Sequence, residues 1–255
     1  MSECIKVKAY TAVVSFLMEN SFMQPDMQNS PYYTGNTSYF VETQKVLRNT
    51  YLLLAVTLIP TIIGGAIGTS FVDFRFMLSS PIIFTLVLMA VFYGWIALIE
   101  RNKESSVGVM LLLGFTFFMG VLLGPLMQHT LGFRNGAQLV MMAAGGTAGV
   151  FFFLAALASN AKRDFSFMNK FIMVGFIVIM LAVVANIFLQ LPVLQLALCG
   201  GFIILSSAII LVQINSIVRG GEMNYVSATL TLYISIYNIF TSLLQILGFV
   251  GGERD

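Results

Sequence analysis

The chain has 255 residues, 58% hydrophobic and 9% charged, with 13 Lys and Arg against 11 Asp and Glu. Soluble domains carry about a quarter of their residues as charged side chains, so the composition excludes a water-soluble enzyme, a disordered protein and a nucleic-acid binder, which needs a concentrated basic face. Two cysteines, Cys4 and Cys199, supply neither a disulfide framework nor a thiolate metal cluster. The expected solvent is the lipid bilayer.

Residues 1–44 read as a flexible cytosolic tail. They hold Pro25, Pro31 and the polar stretch from Gln28 to Ser38, a turn-rich composition that does not build a core. The apolar run from Ala9 to Met18 follows Lys6 and Lys8 but is too short to span, and no Ala-x-Ala cleavage site follows it.

Beyond the tail, the gaps between ionised side chains mark the spans. A spanning helix takes ~20 mainly apolar residues, and stretches free of Asp, Glu, Lys and Arg cover 49–72, 76–99, 105–133, 135–161, 171–218 and 223–252. The fifth stretch has room for two helices, with a hairpin at Gln190-Leu191-Pro192 and Pro192 suited to a first helical turn. The fold class is therefore an all-α membrane protein. Its domain, 45–250, holds seven transmembrane helices near 50–71, 80–99, 106–127, 136–159, 169–189, 193–217 and 226–248, and 251–255 form a short C-terminal tail. An N-terminus inside and a C-terminus outside put ten Lys and Arg in the cytosolic segments and three (Arg75, Arg134, Arg254) outside, as the positive-inside rule requires.

The spans hold no ionisable acid or base, although such residues mark most proton relays and catalytic sites within membranes. His129 is the one histidine and ends the third span, so a His-Glu-x-x-His zinc site is excluded, and no Gly-x-Ser-x-Gly context supports a serine nucleophile. The expectation is a non-enzyme with no catalytic residue, metal or cofactor.

Neutral polar groups remain. On the last helix Thr231, Ser235, Asn238, Ser242 and Gln245 follow steps of four and three residues, which puts them on one stripe. Lipid leaves an amide or hydroxyl without a partner, so this stripe must face protein or water, and the last helix is expected to be central. Ser206 and Gln213 share a face of the sixth helix with Cys199, while Asn186 and Gln190 close the fifth. Interhelical hydrogen bonding and a polar pathway both account for this pattern. Gly64/Gly68, Gly120/Gly124 and Gly145/Gly149 are Gly-x-x-x-Gly pairs suited to close helix packing within the molecule.

Several segments are more specific. They are Lys45-Val46-Leu47-Arg48-Asn49-Thr50-Tyr51, Ala185-Asn186-Ile187-Phe188-Leu189-Gln190-Leu191-Pro192, Gly220-Gly221-Glu222-Met223-Asn224-Tyr225, and Leu232-Tyr233-Ile234-Ser235-Ile236-Tyr237-Asn238-Ile239-Phe240. With them the chain resembles the Bax-inhibitor-type (transmembrane BAX inhibitor motif) family, in its bacterial inner-membrane branch, over about residues 45–250. The resemblance implies seven helices around a central last one, residence in the bacterial inner membrane, and a role binding and modulating an FtsH-type membrane protease and its membrane-associated regulators, as a slowly degraded substrate. It implies as an alternative a Ca²⁺ or proton leak, which family members run through an aspartate pair. The matching positions here are Gln213 and Ser235, and neither supplies a carboxylate. Arg219, Glu222 and Asn224, between the last two helices, are candidate partner contacts.

Overall fold

The computed structural model describes residues 37–70, 81–159, 164–189 and 191–252. The expected tail up to residue 36, Gln190 and residues 253–255 lie outside them. Among the described residues eight helices follow in order: α1 Thr37–Ser70, α2 Pro81–Arg101, α3 Ser106–Leu122, α4 Gly124–Leu131, α5 Gly136–Ala158, α6 Met168–Leu189, α7 Pro192–Val218 and α8 Tyr225–Gly251. Among the described residues there is no strand.

Six helical stretches among these residues are long and apolar enough to cross a bilayer, at Glu42–Ser70, Ser106–Leu131, Gly136–Ala158, Met168–Asn186, Pro192–Val218 and Tyr225–Gly251. The second of the seven expected spans corresponds to α2, a helix of 21 residues. Two expected boundaries differ. The first helix starts at Thr37 rather than near 50, because gaps between charges locate the apolar part of a helix and not where the helix itself begins. The third is interrupted at Leu123 and resumes as α4 to Leu131. Pro125, in the first turn of α4, has no N–H to donate back into α3 and suits a helix start.

The chain runs back and forth between two ends of the bundle. At one end Asn224, before α8, donates from its side chain to Lys103 O after α2, at 3.1 Å. Asn215, near the end of α7, donates to Ala158 O at the end of α5, at 3.2 Å. At the other end Gln128 of α4 donates to Thr69 O of α1 at 2.9 Å, and Asn135 donates to Gly251 O of α8 at 2.6 Å. The start of α1 and the end of α8 therefore lie at opposite ends.

α8 packs against α1, α3, α4, α5 and α7, while α6 is the least buried of the span-length helices. The core joins Phe92 and Trp95 of α2 with Phe115 and Phe118 of α3 and Tyr233 of α8. Phe92 meets Phe115 edge-on at 5.8 Å, Trp95 stacks on Phe118 at 5.7 Å, and Phe115 meets Tyr233 at 6.4 Å between ring centres.

The closest helix contact joins α1 and α3. A Cβ on Gly64 would strike Phe117 O, one on Gly68 would strike Val121 O, and one on Gly120 would strike Thr61 O. Backbone meets backbone there, and only glycine permits it. Gly145 and Gly149 on α5 have open space where a Cβ would go, so that pair makes no comparable contact.

Candidate functional site

The expected polar stripe lies on α8. Ser235, Asn238 and Ser242 are fully buried, while Thr231 and Gln245 are half-buried. Ser235 donates to Thr231 O of its own helix at 2.9 Å and Thr231 to Ser227 O at 3.2 Å. Such back-bonding satisfies hydroxyls in lipid without a neighbouring helix. Gln213 is half-buried on α7 and makes no hydrogen bond to Ser235 among the described residues. The two positions expected to match an aspartate pair are thus neutral and not joined directly. Ser206 is buried on the same helix, as is Cys199.

Asn186 has a partner that the sequence pattern does not show. Its side-chain amide donates to Gln195 Oε1 of α7 at 2.9 Å, and Gln195 donates to Gln245 Oε1 of α8 at 3.1 Å. Three amides therefore link α6, α7 and α8 in a chain that ends with Gln245 donating to Thr241 O at 3.2 Å. A second network ties α1 to α3 and α8. Thr61 Oγ1 and Tyr233 Oη lie 2.8 Å apart, and both reach Thr116 O, at 3.2 and 3.3 Å.

The loop between α7 and α8 is held locally. Gly220 takes a positive φ of 76°, where glycine alone is unstrained, and Gly221 N–H donates to Ser216 O at 2.8 Å, closing the end of α7. Asn224 caps α8, its Oδ1 accepting from Val226 N at 2.9 Å and Ser227 N at 3.1 Å. Arg219 pairs with Asp164 at 3.0 Å rather than with Glu222. Hydrogen bonds from the side chain and backbone of Ser166, with a smaller part from Arg219, hold the Asp164 carboxyl below the usual carboxylate range. Glu222 accepts from Asn224 N at 2.8 Å, and burial pushes its carboxyl up, with Lys103 opposing and Glu100 adding to the shift. Glu100, at the end of α2, accepts from Ser227 at 2.8 Å and pairs with Lys103 at 3.2 Å. Of the three loop candidates, Arg219 is exposed and Glu222 and Asn224 are half-buried.

Among the described residues no group of three or more His, Cys, Asp or Glu could hold a metal ion. Among the described residues, this arrangement defines a polytopic helical membrane protein whose interior is uncharged and cross-linked by side-chain hydrogen bonds, with its ionised groups gathered at the ends. A family model described as inhibitor of apoptosis-promoting Bax1 matches residues 43–252, and the chain belongs to that family. Modulator of FtsH protease YccA of Escherichia coli K12 is 44% identical over 216 residues, covering 84% of this chain and 94% of that protein. An uncharacterized protein of Neisseria meningitidis serogroup A is 43% identical over 229 residues, covering 89% of this chain and all of the other. An uncharacterized membrane protein of Vibrio cholerae is 37% identical over 227 residues, covering 88% of this chain and 99% of that protein. The YccA of a second Escherichia coli strain, also 44% identical, is named an inner membrane protein. The present chain is likewise a multi-pass protein of the bacterial inner membrane.

Proposed function

We propose that this protein binds an FtsH-type membrane protease and modulates it, acting as a substrate that is degraded slowly. The observation that carries the reading is its 44% identity to the Escherichia coli modulator of FtsH protease over 84% of the chain. Its physical basis is a bundle that resists being pulled apart. The first described helix, α1, meets α3 backbone to backbone at Gly64, Gly68 and Gly120 and is bonded to α8 through Thr61 and Tyr233. A protease drawing on the segment before α1 would have to break these contacts, together with the bond from Thr229 to Thr50 O, and would be occupied while they hold.

The reading takes seven crossings, the six span-length stretches together with α2, and an N-terminus inside. Lys45, Arg48, Arg101, Lys103 and Arg219 flank the end where α1 and α8 begin, which is the cytosolic end under the positive-inside rule. The neutral residues at Gln213 and Ser235 supply no carboxylate for an ion-sensing leak, so a protease partner accounts for this interior better than conduction does.

Deletion of residues 1–36, which leaves α1 whole, tests the proposal. The expected result is a longer lifetime in cells with active FtsH and altered turnover of other FtsH substrates. Unchanged lifetimes on both counts would refute it.

A further inference from the structure

We propose that Asn238 and Ser242 form a binding site for water inside the bundle, with the bound molecule bridging the two side chains. Both residues are fully buried. Asn238 Oδ1, Asn238 Nδ2 and Ser242 Oγ have no hydrogen-bond partner among the described residues. Polar atoms so deeply buried are almost always paired, by protein or by an ordered water.

The contrast within α8 supports the assignment. Thr229, Thr231, Ser235 and Thr241 each donate to the carbonyl four residues earlier, at 2.6, 3.2, 2.9 and 2.9 Å. Ser242 does not, and the carbonyl it would use, Asn238 O, accepts from Thr241 at 3.2 Å instead. Its hydroxyl is therefore free to serve a ligand. Residues four apart on a helix hold their Cβ atoms about 5–6 Å apart, and two hydrogen bonds of about 2.8 Å through one oxygen span that gap. Together Asn238 and Ser242 offer donors and acceptors to a molecule that needs two to four of them.

Charge decides the ligand class. The unpaired atoms are amide and hydroxyl groups, and no metal-binding group of acids, histidines or cysteines occurs among the described residues. A neutral molecule that both donates and accepts fits better than a hard cation, which selects carboxylates. The amide chain begins on the same helix one turn further on. Gln245 lies three residues beyond Ser242, and Asn186 Oδ1, at the far end of that chain, is a further buried acceptor without a partner among the described residues.

Thermal unfolding of the full-length protein in lipid nanodiscs separates the possibilities. If water bridges the pair, Ser242→Ala removes one of its partners and lowers Tm by about 2–4 °C. If the hydroxyl is unpaired, the same substitution removes a desolvated group, and an unchanged or higher Tm would overturn the proposal. X-ray radiolysis of bound water, read by mass spectrometry, should oxidise side chains within 237–245 above the level at Ile210 and Ile214, which are buried and apolar. Ser242→Ala should reduce that oxidation, and an equal background level at both places would overturn the site. Exchange of Na⁺ for K⁺ or choline should leave Tm unchanged; a cation-specific shift would overturn water as the ligand.

Discussion

Replacing Gly64 by Ala puts a methyl group where Phe117 O lies, with Val121 N and the Phe117 carbonyl carbon at 3.0 and 3.1 Å. All three are main-chain atoms, so no rotamer can relieve the clash. α1 and α3 must separate by the order of 1 Å, a gap at which packed atoms forfeit a quarter to a half of their attraction. The separation also stretches the Thr61–Tyr233 hydrogen bond of 2.8 Å and the 3.2 Å bond from Thr61 to Thr116 O. Overpacking of this kind costs about 1–3 kcal/mol, and an interhelical hydrogen bond in a membrane adds ~0.6–2 kcal/mol. The unfolding midpoint in detergent should fall by several degrees. Gly145→Ala is the control, because nothing lies within 4 Å of its Cβ position, and its effect should stay within about 0.5 kcal/mol. Equal effects at the two glycines, or no loss at Gly64, would refute the close-contact account of α1 and α3.

Gln195→Leu should destabilise the bundle by about 1–3 kcal/mol, since Asn186 and Gln245 both lose the partner between them; chemical or thermal unfolding checks this. Asn224→Ala removes the cap of α8 and the bond to Lys103 O, and a loss of about 1 kcal/mol is expected from the cap, together with faster amide exchange at Val226 and Ser227. Glu222 has its carboxyl raised by burial, so folding favours the protonated form. Its contribution to stability is full below the unfolded-state value and is lost as pH rises through the folded-state value. Glu222→Gln should therefore flatten the rise in stability on acidification from neutral pH toward the usual carboxylate range, and an unchanged slope would remove Glu222 as its source.

Six span-length helices were legible because the bilayer imposes one rule on every residue, and the stretches without ionised side chains obey it. The break at Leu123 was less so. It depends on Pro125, and prolines do not always interrupt membrane helices, as α1 runs on through Pro60. The stripe on α8 was visible as a period, and Ser235, Asn238 and Ser242 lie where it puts them. Its partners were not visible. Gln195 follows Asn186 by nine residues across a hairpin, and Tyr233 meets Thr61 from 172 residues away, so neither pairing has a local signature. The glycine pairs show the same limit. Gly64/Gly68 and Gly145/Gly149 have the same spacing, yet only the first faces a neighbouring backbone. Arg219 and Glu222, three residues apart and opposite in charge, suggest a local pair, but the positive φ of Gly220 turns the chain between them and Arg219 meets Asp164 instead.

With 34 residues, α1 is about 50 Å long, well beyond the ~30 Å hydrocarbon layer. Tension on its N-terminal end travels down a stiff rod to Gly64 and Gly68 and acts parallel to the α1–α3 seam. Loaded in shear, the contacts along that seam share the force and must slip together, whereas a perpendicular load would open them one after another. Traction from that end therefore meets the seam along its mechanically stronger direction.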